Sequence, residues 1–212
     1  MSGLPSAWTF FVLTITFVSA LPIFDVEDTL QVALTIPDNE TGVKVSQWTV
    51  NMNMNPEELG NYMEGDIMIA KGTTLRNGAK DEKLRWPNGV IPYVIMGNFN
   101  DTQLHLIYEA MKEYEKYTCI KLKPRTDERD YVKFVSYNNG CWSYVGKIGG
   151  VQLINLQSPG CVTKKGTVIH EIMHATGFWH EHTRDDRDDY VTINWNNIKE
   201  CTYIYNLIRD LK

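Results

Sequence analysis

The sequence predicts an α+β fold, and three observations carry the prediction. "NDTQLHLIYEAMKEYEKYT" (100–118) has helical periodicity. Three short runs rich in β-branched and aromatic residues follow it, each bounded by turn residues. "KKGTVIHEIMHATGF" (164–178) then reads as a second helix, so helix and sheet are interleaved as layers of one core. The chain has 212 residues, enough for one or two compact domains, with 43% hydrophobic and 22% charged residues. Its net charge of −5 supplies no basic field for nucleic acid.

Taken in order, "MSGLPSAWTFFVLTITFVSA" (1–20) contains no charged side chain. Its apolar run is short for a membrane span, and Val18-Ser19-Ala20 offers small residues for signal peptidase. We read 1–20 as a secretory signal peptide, and expect a secreted, extracellular protein with no stable membrane insertion after signal cleavage. In that compartment the four cysteines, Cys119, Cys141, Cys161 and Cys201, are expected to pair, with three connectivities open. Asn39-Glu40-Thr41 and Asn100-Asp101-Thr102 are glycosylation sequons.

Residues 21–76 differ in texture, being mixed, acidic and rich in Asn and Met, without sustained amphipathic period. From Trp86 the pattern becomes regular. "GVIPYVI" (89–95) reads as a strand, with Pro92 favouring a sheet edge. The first helix is expected to be capped by Asn100 or Asp101, with Leu104, Ile107, Tyr108 and Met111 as its apolar face. His105 beside that face reads as structural. "CIKLK" (119–123), "YVKFVSY" (131–137) and "GVQLINL" (150–156) are the strand-like runs.

Four of the five histidines fall between residues 170 and 182. His170 and His174 are one helical turn apart, so both imidazoles reach one metal ion from the same face. Glu171 between them points to a neighbouring direction, within reach of a water but outside the ligand set. His180 lies six residues beyond His174, about 600° further round a continuing helix, pointing away from the metal. The chain must turn, and Gly177 can adopt the positive φ that ends the helix and returns His180 as third ligand. Three imidazoles leave a position for water, as catalytic zinc requires; a closed structural site would use mostly cysteine. His182 is expected to face solvent, and "RDDRDD" (184–189) reads as a salt-bridged, capped loop rather than a calcium site.

With these residues in view, "HEIMHATGFWHEHTRDDRDDYV" (170–191), "RWPNGVIPYVI", "GCWSYVGKIGG" and the "GC" before the second helix resemble the astacin family of metzincin zinc metalloendopeptidases, across roughly residues 60–200. The resemblance implies the zincin N-terminal subdomain, a twisted mixed sheet with two long helices, the second carrying the zinc site. It implies Zn2+ bound by His170, His174 and His180. Glu171 is the implied general base, taking a proton from the attacking water and passing it to the leaving amine. Cys141 and Cys161 resemble a family disulfide, and Trp142, Ser143 and Tyr144 the upper rim of the cleft where a protein or peptide substrate adds as a strand. "MEGDI" (63–67) resembles the family's propeptide switch, with Asp66 ligating zinc in the latent form and Met63 where the family usually has Phe.

The implied division is a signal peptide (1–20), a propeptide (21–76), the N-terminal part of the catalytic domain (77–200) and a divergent tail (201–212). A trypsin-like protease is expected to cleave after Arg76, and the new terminus at Asn77 to pair with Glu181. After "VTINWNNIKE" the match stops. The family's C-terminal half, with its Met-turn and zinc-binding Tyr, has no counterpart here, and nothing supports Tyr203 or Tyr205 as substitutes for that Tyr. The C-terminal subdomain is therefore expected to be missing, and Cys119 to lack its family partner, with Cys201 an unexpected candidate. Two functions follow: a zinc endopeptidase made as a zymogen, or a truncated, non-catalytic zinc- or peptide-binding product.

Overall fold

A computed structural model describes residues 39–70, 82–184 and 186–197. The expected signal peptide, Arg76, Asn77 and Cys201 lie outside the described residues. Nine regular elements occur among them: α1 (Asn39–Ser46), β1 (Ile67–Met68), β2 (Val90–Ile95), α2 (Asp101–Tyr117), β3 (Lys121–Pro124), β4 (Tyr131–Val135), β5 (Cys141–Tyr144), β6 (Val151–Leu156) and α3 (Lys165–Thr176). No described helix is long and apolar enough to cross a membrane.

The strands form one mixed sheet in the order β1-β5-β6-β4-β2-β3. The β5–β6 pair is antiparallel and the other four pairs are parallel. Alternation along β4 and β6 sends Val132, Phe134, Ile154 and Leu156 into the main core, where Val168, Ile172 and Ala175 of α3 and Ile107, Ala110 and Met111 of α2 meet them.

Two expectations need correction. β2 is not an edge strand, because β3 and β4 flank it. Pro92 is accommodated since the β2–β4 ladder starts only at Tyr93, leaving the missing N–H beyond its first pair. The buried face of α2 is Gln103, Ile107, Ala110 and Met111, while Tyr108 is 44% exposed. The helix is rotated because its inward stripe meets α3 as well as the sheet, and Tyr114 Oη donates to the Ile169 carbonyl of α3 at 2.7 Å. His105 is exposed and lines a surface groove with Tyr93, Tyr108, Met111 and Leu122.

Asn100 caps α2 as expected, accepting from Gln103 N at 2.9 Å while the Gln103 side chain accepts from Asn100 N at 3.0 Å. The 39–70 segment is packed onto the rest. Val45 of α1 joins the main core, and Tyr62 Oη donates to the Asn139 carbonyl at 2.5 Å. Met63, Ile67 and Ile69 form a second apolar cluster with Val145 and Trp179.

Candidate metal centre

The α3 helix supplies the first two candidate ligands. His170 and His174 sit on successive turns, and their Nε2 atoms are 3.0 Å apart. Three groups hold the backbone of this helix near the site. Trp86 Nε1 donates to the Ala175 carbonyl at 2.7 Å, Gly146 N donates to the His174 carbonyl at 2.8 Å, and Tyr114 binds the Ile169 carbonyl. The helix ends at Gly177, whose φ of 114° is left-handed and whose N–H reaches back to the His174 and Met173 carbonyls. That reversal returns His180 to the site, with its Nε2 3.2 Å from His170 Nε2.

The fourth group comes from the 39–70 segment. Asp66 Oδ2 is 2.8 Å from His170 Nε2, and Asp66 Oδ1 is 3.3 Å from His180 Nε2 and 3.5 Å from His174 Nε2. The four ligand atoms lie within 4.8 Å of one another. Tetrahedral bonds of about 2.0–2.1 Å to zinc separate neighbouring ligand atoms by about 3.3 Å. The observed spacings bracket that value, so the donor set fits such a cation.

Each ring's remaining nitrogen matters, because a partner there fixes the tautomer and turns Nε2 toward the cluster. His174 Nδ1 donates to the Phe178 carbonyl at 2.8 Å, and His180 Nδ1 donates to Glu64 Oε2 at 2.7 Å. His182 does not face solvent freely: it is half-buried and stacks on His180, with ring centroids 5.4 Å apart. It stands outside the ligand cluster.

Glu171 is fully buried, and neither carboxylate oxygen has a hydrogen-bond partner among the described residues. Burial raises its pKa well above the usual carboxylate value, and the charges of Asp66 and Glu57 add to the rise. Asp66 is moved the other way: burial opposes its ionisation, but hydrogen bonds from His170, His174 and His180 outweigh it. His180 is pushed up to about 10, with burial again opposing and the Asp66 and Glu64 carboxylates prevailing. The polar shell thus favours positive charge at its centre, carried by protons or by a bound cation.

The rim strand β5 is covered. Ile67 and Met68 of β1 pair in parallel with Ser143 and Tyr144, and Ser143 N donates to the Asp66 carbonyl at 3.0 Å. Trp142 is buried between Tyr62 and Tyr144, edge to face with both. Cys141 and Cys161 form a disulfide with Cα atoms 5.6 Å apart, joining β5 to the turn before α3. Cys119 is exposed and bonded to no described cysteine.

Other sequence-predicted positions lie away from the cluster. Glu181 is on the surface, bound to Arg184 Nη1 at 2.7 Å, and Arg184 also holds Asp186 at 2.7 Å in the salt-bridged loop. Asn39 and Asn100 are exposed. Sequence reading missed Glu64, Glu57 and Trp86 as contributors. No spacing rule marks them, since their partners lie 89 to 116 residues away along the chain.

The sequence model of the Astacin peptidase family matches residues 78–208. The chain is 38% identical over 192 residues to zinc metalloproteinase nas-8 of Steinernema carpocapsae, covering 86% of this chain and 44% of that protein. It is 38% identical over 168 residues to the low choriolytic enzyme of Oryzias latipes, covering 74% of this chain and 60% of that one. Among solved structures it is similar to high choriolytic enzyme 1, a hatching enzyme zinc-protease from the same fish, at 38% identity and a TM-score of 0.48, covering 60% of this chain and 63% of that one. The chain therefore spans about half the length of the relatives it matches.

Proposed function

Because the chain belongs to the astacin family of peptidases, we propose that it is the latent form of a secreted zinc metalloendopeptidase acting on protein or peptide substrates. The observation that carries this reading is the convergence of three imidazoles and the Asp66 carboxylate beside the buried Glu171. When bound, zinc would supply Lewis acidity toward a peptide carbonyl and toward an attacking water. Glu171 accepts that water's proton and delivers it to the leaving amine.

In the unprocessed chain Asp66 fills the position opposite the imidazoles, and β1 fills the edge of β5 that an extended substrate would use. Removal of 21–76 by a trypsin-like protease after Arg76 frees both. In the processed chain the new Asn77 terminus replaces Arg184 as the partner of Glu181. Trp142, Ser143 and Tyr144 then form the rim on which substrate pairs. Secretion through the 1–20 signal peptide agrees with the Cys141–Cys161 disulfide. Surface exposure of Asn39 and Asn100 agrees with glycosylation at both, and the cap at Asn100 uses only its Oδ1.

The test is hydrolysis of an internally quenched peptide by the full chain before and after trypsin. Activity should appear after trypsin and fall about 100-fold or more in Glu171→Gln. A zinc-loaded, trypsin-treated chain that cleaves nothing would overturn the enzyme reading in favour of a non-catalytic zinc- or peptide-binding product. Exposed Phe178, whose carbonyl holds His174, favours that second reading, since its side chain leaves apolar surface uncovered beside the site.

A further inference from the structure

The turn that carries Asp66 has an unusual backbone. Glu64 has φ 52° and Gly65 has φ 105°, so two successive residues are left-handed. Gly65 adopts this freely, but a residue with a Cβ does so only under constraint from its surroundings. The reversal is tight: Gly65 N donates to the Tyr62 carbonyl at 3.0 Å, and Ile67 N donates to the Met63 carbonyl at 2.9 Å. Its effect is to aim two side chains, Glu64 and Asp66, into one site. Both are buried, with side-chain exposures of 6% and 2%.

The two candidate ligands with a partner on their second nitrogen differ in its origin. His174 is held by the Phe178 carbonyl, four residues along its own chain segment. His180 is held by Glu64, 116 residues away in the segment expected to be removed. His180 also lacks a helix, because it lies beyond Gly177 at the start of a single 3-10 turn. Its ring direction depends on that carboxylate more than His174 depends on any one contact.

We propose that Glu64 is a positioning residue of the latent site: its carboxylate takes the hydrogen bond from His180 Nδ1 and holds the ring so that Nε2 faces the metal position. The segment 39–70 would then cap the metal through Asp66 and orient the third ligand through Glu64. This rests on the zinc reading above. It accounts for a glutamate at a backbone position where glycine is unstrained. It also implies that the unprocessed chain holds zinc more tightly than its ligand atoms alone provide.

The test is zinc affinity of the unprocessed full chain, measured by competition with a chromogenic chelator, with Co(II) absorption as a report on ligand geometry. Loss of a hydrogen-bonded partner behind a ligating histidine weakens metal binding by about 10–100-fold. Glu64→Gln keeps the shape and a hydrogen-bond acceptor but loses the charge, and should weaken zinc about tenfold. Glu64→Gly relieves the backbone strain and removes the acceptor, and should weaken it nearer a hundredfold, with an altered Co(II) spectrum. If both variants hold zinc within twofold of the parent, Glu64 merely shapes the turn and the proposal is overturned. If the parent chain takes up no zinc, it is the metal reading that fails.

Discussion

Half of the candidate metal site is borne by a helix and half by turns of the chain, and the two halves are stabilised differently. His170 and His174 are placed by the ladder of α3, whose carbonyls are further held by Tyr114, Gly146 and Trp86. Displacing either ring means unwinding a helix packed on the core. His180 and Asp66 are placed by reversals at Gly177 and at Glu64-Gly65, each requiring left-handed backbone. The helix and the main core fix the first pair, whereas the second is fixed by turns, by the β1–β5 pairing and by the smaller cluster of Met63, Ile67, Ile69, Val145 and Trp179. The first pair belongs to the part of the fold that the proposed activation keeps, while the second includes Asp66, which that activation would withdraw with the 21–76 segment.

The contrast can be broken most severely from the helical side. His174→Ala removes a fully buried candidate ligand and its bond to Phe178. It should abolish stoichiometric zinc, an effect beyond the roughly 10–100-fold that supporting partners contribute; metal analysis after dialysis checks this. Asp66→Ala should act in the opposite sense. The unprocessed chain should gain binding of a zinc-directed peptide hydroxamate at least about tenfold, because a latch closed more than nine-tenths of the time lowers apparent affinity by that factor. Equal binding by parent and variant would show that Asp66 does not cap the site.

Gly177→Ala sharpens the comparison from the turn side. A φ of 114° strains any residue with a Cβ, and the added Cβ would touch nothing closer than 4.0 Å, so the effect is conformational rather than steric. The expected destabilisation is about 1–2 kcal/mol in thermal melts, with zinc affinity falling because His180 is displaced. Tyr114→Phe should have the smallest effect, about 1 kcal/mol for the lost bond to the Ile169 carbonyl. Zinc affinity should be unchanged there, since the helical ladder still sets the ring of His170; a parallel loss of affinity would show that the helix-borne half is no more robust than the other.

Legibility in the sequence follows the same division. Helical period is enough to put His170 and His174 on one face, and the arithmetic of the helix is enough to require a reversal at Gly177. The N-cap at Asn100 is legible because capping is local. The inward face of α2 is not, because Ala110 and Gln103 are buried by the approach of α3 and of the turn following β6 rather than by their own hydropathy. Pro92 misleads for a related reason: an edge is a property of which neighbours pair where, and the β2–β4 ladder begins one residue later.

The sequence by itself determined what depends on near neighbours: two helices, the strands between them, the paired histidines and the glycine that ends their helix. Such features follow from backbone geometry repeated every few residues, which a linear pattern records directly. Tertiary structure alone decided the rest. It set the six-strand order, laid β1 on the rim strand, and brought Glu64 to a histidine more than 100 residues away, whereas Asp66 was legible through the family resemblance of its motif. Those contacts arise from packing between distant segments, and their energy depends on burial and dielectric surroundings that exist only once the core has closed around them.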